Sequence, residues 1–303
     1  MNILTDPETF SHNYSGISDS RRGHLCVIDG SNMLHRAWAM GQTVVRHDGL
    51  DVGATSLFGA MMMKLLRRML NGKRPPSHIA VFFDPPRADS WRREMYANYK
   101  ANRPDMDAAL SVQIPLMKDI CHAMGVSHAT APRHEADDLI AAYVEDAASR
   151  GDFCTIISSD KDLMQLVRPG VLQYNSVQDK WFNEAAVIEK FGVNPTQVAD
   201  YLALAGDAVD GVPGAPGIGA KSAAALLVEF GSVETILRCC DDIQKKSWRR
   251  IISENHEVIR LSRMLVALDH AAAPRLLSIV QMRSPEPLRA WQGLQDWRSI
   301  NIK

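Results

Sequence analysis

Apolar positions in this chain gather into short, almost unbroken runs, with stretches of helical periodicity between them. The clearest runs are "LCVID" (25–29), "IAVFFD" (79–84) and "FCTIISSD" (153–160), all rich in β-branched or aromatic residues. Runs of this length without polar alternation predict strands buried on both faces, and their alternation with helices predicts an α/β fold with a mostly parallel central sheet. Each run stops at an aspartate. Ligands of open parallel sheets bind outside the carboxyl ends of the strands, so the pattern predicts Asp29, Asp84 and Asp160 on one rim. A lone aspartate at such a place also serves as a turn residue or helix N-cap. Three strands ending alike are harder to explain that way.

The segment "HEADDL" (134–139) crowds Glu135, Asp137 and Asp138 into four positions ahead of an apolar helical run. Helix capping accounts for one or two of them, since the positive end of the helix dipole favours acids by about 0.3–1 kcal/mol each. Further acids follow. Asp162 comes two residues after Asp160, on the same side if strand geometry continues. Asp207 and Asp210 are three apart, hence neighbours if "GDAVDG" is a helical turn. Nine converging carboxylates would repel one another unless cations lie among them. No His or Cys is interleaved at ligand spacing, which argues against zinc, whereas an all-oxygen set suits Mg²⁺ or Mn²⁺. Two such ions about 4 Å apart can serve the attacking and leaving oxygens of a phosphodiester.

The 303 residues are 46% hydrophobic, enough for one large domain or two small ones. The formal net charge of −1 does not suggest a nucleic-acid partner. Setting the nine acids aside leaves 26 of the 35 acidic residues against 34 basic ones, a basic body around an acidic cleft. Five cysteines without C-x-x-C spacing read as reduced thiols in a cytoplasmic protein. Residues 1–22 read as a loose polar tail and not as a signal peptide. The most apolar window, 56–66, is too short to span a bilayer and contains Lys64, so no membrane segment is expected.

Two further segments carry chemistry. Between 87 and 103, Arg87, Arg92, Arg93, Lys100 and Arg103 outnumber Asp89 and Glu94, with Trp91, Tyr96 and Tyr99 interleaved. Cations for phosphates and rings for bases suit single-stranded nucleic acid. A solvated amphipathic helix with inward aromatics is the alternative. The second, "GVPGAPGIGAKSAAALL" (211–227), has Ala220 where a P-loop needs glycine before its lysine, so ATP is not implied. Gly217, Gly219, Lys221 and Ser222 fit a hairpin whose backbone amides meet a phosphate at a helix N-terminus, or an ordinary turn. Lys245, Lys246, Arg249 and Arg250 offer a further phosphate contact or a solvated helix face.

In order and spacing, "VIDGSNMLHRA", "VFFD", "YKANRP", "HEADDL", "SSDKDLMQLV" and "LAGDAVDGVPGAPGIGAKSA" make the chain resemble the 5′ nuclease (flap endonuclease) superfamily from about residue 24 onward. The resemblance is to the 5′→3′ exonuclease domain of bacterial DNA polymerase I and its stand-alone phage and bacterial relatives. It implies a PIN-like nuclease core over 23–205 with a helical arch at 85–110. It also implies a helical domain over 206–303 with a helix–three-turn–helix module at about 206–262. Asp29, Asp84, Glu135, Asp137 and Asp138 would bind or support one metal site, and Asp160, Asp162, Asp207 and Asp210 the second. Lys100 and Arg103 would approach the scissile phosphate, and His35, Arg36, Arg92 and Tyr99 would contact DNA. The glycine turn would grip duplex DNA, with K⁺ bound there as in relatives. Relatives commonly have Asn where this chain has Gly211, and Tyr where it has His35. The chain is too short to include a polymerase domain.

The expected activity is structure-selective hydrolysis of DNA with a 5′ single-stranded flap or end, by a monomer, in replication or repair. Two other classes fit the sequence less well. A branched-DNA binding module would not need intact acids. An aspartate-nucleophile phosphatase would want D-x-D after its first strand, where "DGSN" has Ser31, and a small RNase would not need 206–262.

Overall fold

The computed structural model describes residues 22–302. All but Arg22 of the tail expected at 1–22 therefore lies outside the described residues. Six strands form one sheet in the order β3-β2-β1-β4-β5-β6: β1 His24–Asp29, β2 His78–Phe83, β3 Ser127–Thr130, β4 Phe153–Ile157, β5 Val171–Asn175 and β6 Lys180–Phe182. Every pairing is parallel except β5 with β6. Side chains of β1 explain the unbroken apolar run: Cys26 and Ile28 enter one core, Leu25 and Val27 the core on the opposite face. Strand order reverses between β1 and β4, and such a switch point opens a crevice at the carboxyl ends of the strands.

The helices are α1 Gly30–Ala39, α2 Gly53–Leu70, α3 Trp91–Met95, α4 Ala108–Ser111, α5 Ile114–Ala123, α6 Ala136–Ser149, α7 Glu184–Phe191, α8 Val198–Ala205, α9 Ala220–Phe230, α10 Val233–Arg238, α11 Lys246–Glu254, α12 His256–Val266 and α13 Pro287–Asn301. One sheet face is covered by α1, α2, α5 and α13, the other by α6. A third core joins α7 to α12 and reaches back to Tyr99, Met164 and Phe182. Among the described residues no helix is long and apolar enough to cross a membrane.

Three local expectations are corrected. β4 ends at Ile157, so Asp160 lies in the following turn and Asp162 opens a 3₁₀ turn instead of continuing a strand. Asp207 and Asp210 sit in a tight turn closed by the Asp207–Val212 bridge, not on a helix. The 85–110 segment forms two short helices and turns instead of a helical arch. The last helix also departs from the 206–303 expectation. Ala290, Leu294 and Trp297 of α13 pack into the core of the sheet domain, and a Cβ at Gly293 would lie 1.8 Å from the Ala123 carbonyl oxygen. That close approach requires glycine.

Candidate metal centre

Asp29 closes β1 and caps α1. Its Oδ1 accepts from the Asn32 amide at 2.8 Å and its Oδ2 from the Ser158 hydroxyl at 2.7 Å. Ser158 then accepts from the Asp160 amide at 3.0 Å, tying the ends of β1 and β4 together across the switch point. Next along the rim, the Asp84 amide donates to Ser31 Oγ at 2.8 Å, and Asp84 Oδ1 accepts from the Ala136 amide, the start of α6, at 2.7 Å. Asp137 projects from that first turn into the field of Asp160, Asp29 and Asp84. Asp160 stands between two groups, close enough to act on Asp29 and Asp137 on one side and on Asp162 and Asp210 on the other.

The second group is tighter. Ligand oxygens of Asp162, Asp207 and Asp210 lie within 4.8 Å of one another. The Asp162 amide donates to Asp160 Oδ1 at 2.9 Å, which folds the turn, and Asp162 Oδ1 is buried with no hydrogen-bond partner among the described residues. A buried, unpaired carboxylate oxygen is costly unless a cation meets it. The donor set and this orphaned oxygen fit Mg²⁺ or Mn²⁺.

The three acids of "HEADDL" have different fates. Glu135 and Asp138 form a reciprocal capping box on α6. Glu135 also accepts from Ser90, Tyr99 and Lys100 at 2.8, 3.1 and 2.8 Å. Asp138 is fully buried and held by Arg92, Trp91 and the amides of Glu135 and Asp269, so it does not join the open cluster as a ligand. Asp137 alone of the three faces Asp29, Asp84 and Asp160.

The basic segment is docked onto the acidic turn. Lys100, at φ +52°, donates its amide to the Asp210 carbonyl at 2.8 Å, and Asn102 Nδ2 reaches the Ala208 carbonyl at 2.6 Å. Lys100 Nζ is 3.9 Å from Asp210 Oδ2, and Arg103 pairs with the same carboxylate. Gly211, at φ +69°, faces Asn98 so closely that a Cβ would lie 2.6 Å from its carbonyl oxygen. Glycine at 211 is thus a packing requirement of this turn.

Two expected DNA contacts are corrected. Arg92 is 2% exposed and Tyr99 4%, both facing carboxylates inside the protein, so neither is presented to a nucleic acid. The inward-aromatic alternative holds for Tyr99. His35 is exposed on α1 and lies in the field of Asp84, Arg103, Arg87 and Lys100, at the mouth of the cleft. Arg36 turns aside to Ser176 Oγ at 3.2 Å. Farther off, Gly217 adopts φ +98°, Gly219 leads into α9 without a side-chain cap, Lys221 is exposed and Ser222 half-buried.

Residues that sequence reasoning missed include Ser158, Ser31 and Lys161. Lys161 pairs with Asp207 Oδ2 at 2.7 Å, and Arg87 holds the Arg103 carbonyl at 2.7 Å. "SSDKD" offered the only local hint, a hydroxyl and a cation among the acids.

Burial, then Asp84, raises the Asp29 carboxyl from 3.8 to about 7. Burial and the neighbouring aspartates push Asp137 and Asp162 well up, and burial raises Asp210 against the pull of Lys100 and Arg103. A raised carboxyl binds its proton more tightly in the folded chain. The stability it confers is therefore present below its unfolded value and lost as pH climbs through the folded one. Without divalent metal, the melting temperature is expected to fall between about pH 4 and 7, and Mg²⁺ is expected to remove most of that fall. Thermal unfolding in EDTA and in Mg²⁺ checks this. Superimposable pH profiles would mean that the acids do not form one cation-binding cluster.

Residues 24–192 match the family model described as "5'-3' exonuclease, N-terminal resolvase-like domain", and residues 193–287 the one described as "5'-3' exonuclease, C-terminal SAM fold". A DNA polymerase I of Rhizobium leguminosarum is 43% identical over 248 residues, covering 81% of this chain and 24% of its own. This chain thus spans about a quarter of that relative's length. A 5'-3' exonuclease of Aquifex aeolicus is 38% identical over 244 residues, with 80% of this chain and 81% of its own covered. Among solved structures, T5 D15 protein co-crystallized with metal ions shares the fold at TM-score 0.67 and 21% identity, covering 91% of this chain and 99% of that one.

Proposed function

The chain belongs to the 5'-3' exonuclease family and is a metal-dependent 5′ nuclease, and on that premise we propose that its substrate is DNA with a 5′ single-stranded flap or end, cut where that strand meets the duplex. The observation that carries this reading is the convergence of seven carboxylates at the switch point of the sheet, with Asp162 Oδ1 left unpaired.

Asp29, Asp84, Asp137 and Asp160 would hold one divalent cation, and Asp162, Asp207 and Asp210, with Asp160 between the groups, a second. Mg²⁺ or Mn²⁺ there supplies Lewis acidity and charge compensation for a phosphodiester displacement. The chain's own residues do the positioning. Ser158 and the Asn32 amide fix the Asp29 carboxylate. Lys100 and Arg103 bring two positive charges to the edge of the same cleft, where they can offset charge developing on a phosphate. His35 offers a ring at the mouth on which a terminal base can stack. The Gly217–Ser222 hairpin presents backbone amides at the α9 N-terminus to the duplex backbone, with K⁺ as its proposed companion ion. Phosphate contacts carry no sequence information, so substrate shape sets the specificity. Action as a monomer, in the cytoplasm, during replication or repair completes the proposal; all five cysteines are free thiols.

Two duplexes of equal length, one with a 5′ flap and one with a 3′ flap, test the substrate assignment. In Mg²⁺ the 5′-flap duplex is expected to be cut near its junction at least about tenfold faster. Equal rates on both, or cleavage of single-stranded RNA instead, would refute the substrate assignment.

A further inference from the structure

Arg92 and Asp138 meet at a buried junction of three separate chain segments. The Arg92 guanidinium donates Nη1 to Asp138 Oδ2 at 2.8 Å and Nη2 to Asp138 Oδ1 at 2.7 Å. Its Nε donates to the Leu265 carbonyl, and Nη2 to the Ala267 carbonyl, each at 2.8 Å. Those carbonyls lie at the carboxyl end of α12, where the helix dipole favours a cation. Asp138 in turn accepts from Trp91 Nε1 at 3.2 Å, from the Glu135 amide at 3.2 Å and from the Asp269 amide at 2.9 Å. The Arg92 guanidinium also lies over the Trp91 ring, 4.5 Å from its centre.

The places these contacts join give the junction its meaning. Asp138 belongs to the first turn of α6, beside Asp137 of the first acid group. Helix α12 packs on α8, and its Arg263 pairs with Asp200 of α8. Helix α8 leads directly into the Asp207–Asp210 turn of the second group. We propose that Arg92 is a positioning residue: by clamping the first turn of α6 to the end of α12 through Asp138, it sets the distance between the two groups of metal-binding acids. This rests on the metal-centre reading above. It requires arginine, because only a planar fork can grip both carboxylate oxygens and two helix-end carbonyls together; a lysine carries the charge without that geometry.

The test is Arg92→Lys in the full chain, followed by Mn²⁺ titration without DNA, by flap-cleavage kinetics, and by duplex binding in Ca²⁺. The expected result is affinity for the weaker ion and kcat each reduced by about 10- to 100-fold, with the DNA dissociation constant changed by less than about threefold. Unchanged ion affinity and kcat would overturn the proposal. DNA binding that weakens in step with kcat would also overturn it, since Arg92 would then be touching the substrate. If Arg92→Lys does not fold, Arg92→Gln combined with Asp138→Asn removes both charges of the buried pair together, and the side-chain oxygen kept at 138 can still accept from a backbone amide. The same ion defect is expected there, and its absence overturns the proposal. Asp162→Asn titrated in parallel separates the two claims. If it loses an ion while the Arg92 variants keep theirs, the clamp is wrong and the metal centre stands. If it loses none, the metal centre itself is wrong.

Discussion

Asp162→Asn is expected to lower kcat on a 5′-flap duplex by about three orders of magnitude, the rate equivalent of several kcal/mol of lost charge stabilisation. The substitution is nearly isosteric. The Asp162 amide can still donate to Asp160 Oδ1, so the turn keeps its backbone bond. What disappears is the negative charge beside Asp207 and Asp210. Removing one of several mutually repelling acids also relieves strain, so the metal-free variant is expected to melt no lower than wild type, and higher above neutral pH. Lost activity together with gained stability separates a ligand from a structural residue. Wild-type turnover by Asp162→Asn, measured at saturating Mg²⁺, would remove that carboxylate from the centre.

Lys100→Met is expected to lower kcat by about 10²–10³, as for the loss of one preorganised charge at a reacting phosphate. Duplex binding in Ca²⁺ should change little, because the Gly217–Ser222 hairpin is untouched. Here stability moves the other way. Lys100, then Arg92, holds the buried Glu135 carboxyl down at about 2. Its stabilising effect is present above the ordinary value of 4.5 and lost as pH falls toward 2. Without Lys100, Glu135 keeps Arg92 at 3.7 Å along with Ser90 and Tyr99, so the variant folds but unfolds at milder acidity. Acid titration followed by circular dichroism reads this shift, and single-turnover cleavage reads the kinetic one. A variant that binds DNA as poorly as it cleaves would assign Lys100 to substrate capture instead of catalysis.

Legibility from the sequence followed the range of the interactions. Strands β1, β2 and β4 were readable because burial on both faces leaves a continuous apolar run, a purely local mark. The gathering of acids on the rim followed from the same strands. The turns were not readable. Asp160 and Asp162 are set by a two-residue hydrogen bond after β4 ends, and Asp207 and Asp210 by a bridge between 207 and 212. Neither disturbs the apolar periodicity that betrays strands and helices. "HEADDL" shows the limit most clearly, because Asp137 and Asp138 are chemically identical neighbours. Arg92, 46 positions earlier, claims only one of them. The same distance effect hid the buried carboxylate partners of Arg92 and Tyr99, whose composition alone suggested a nucleic-acid surface. The apolar residues of α13 say that it packs, and not on what; Ala290, Leu294 and Trp297 join the core of the sheet domain.

Anomalous diffraction from crystals grown with Mn²⁺ tests the central claim most directly. One peak is expected among Asp29, Asp84, Asp137 and Asp160, and another beside Asp162, Asp207 and Asp210, with Lys161 drawn away from Asp207. Crystals with no peak in either place, and with Lys161, Lys100 and Arg103 still paired to the acids, would contradict it.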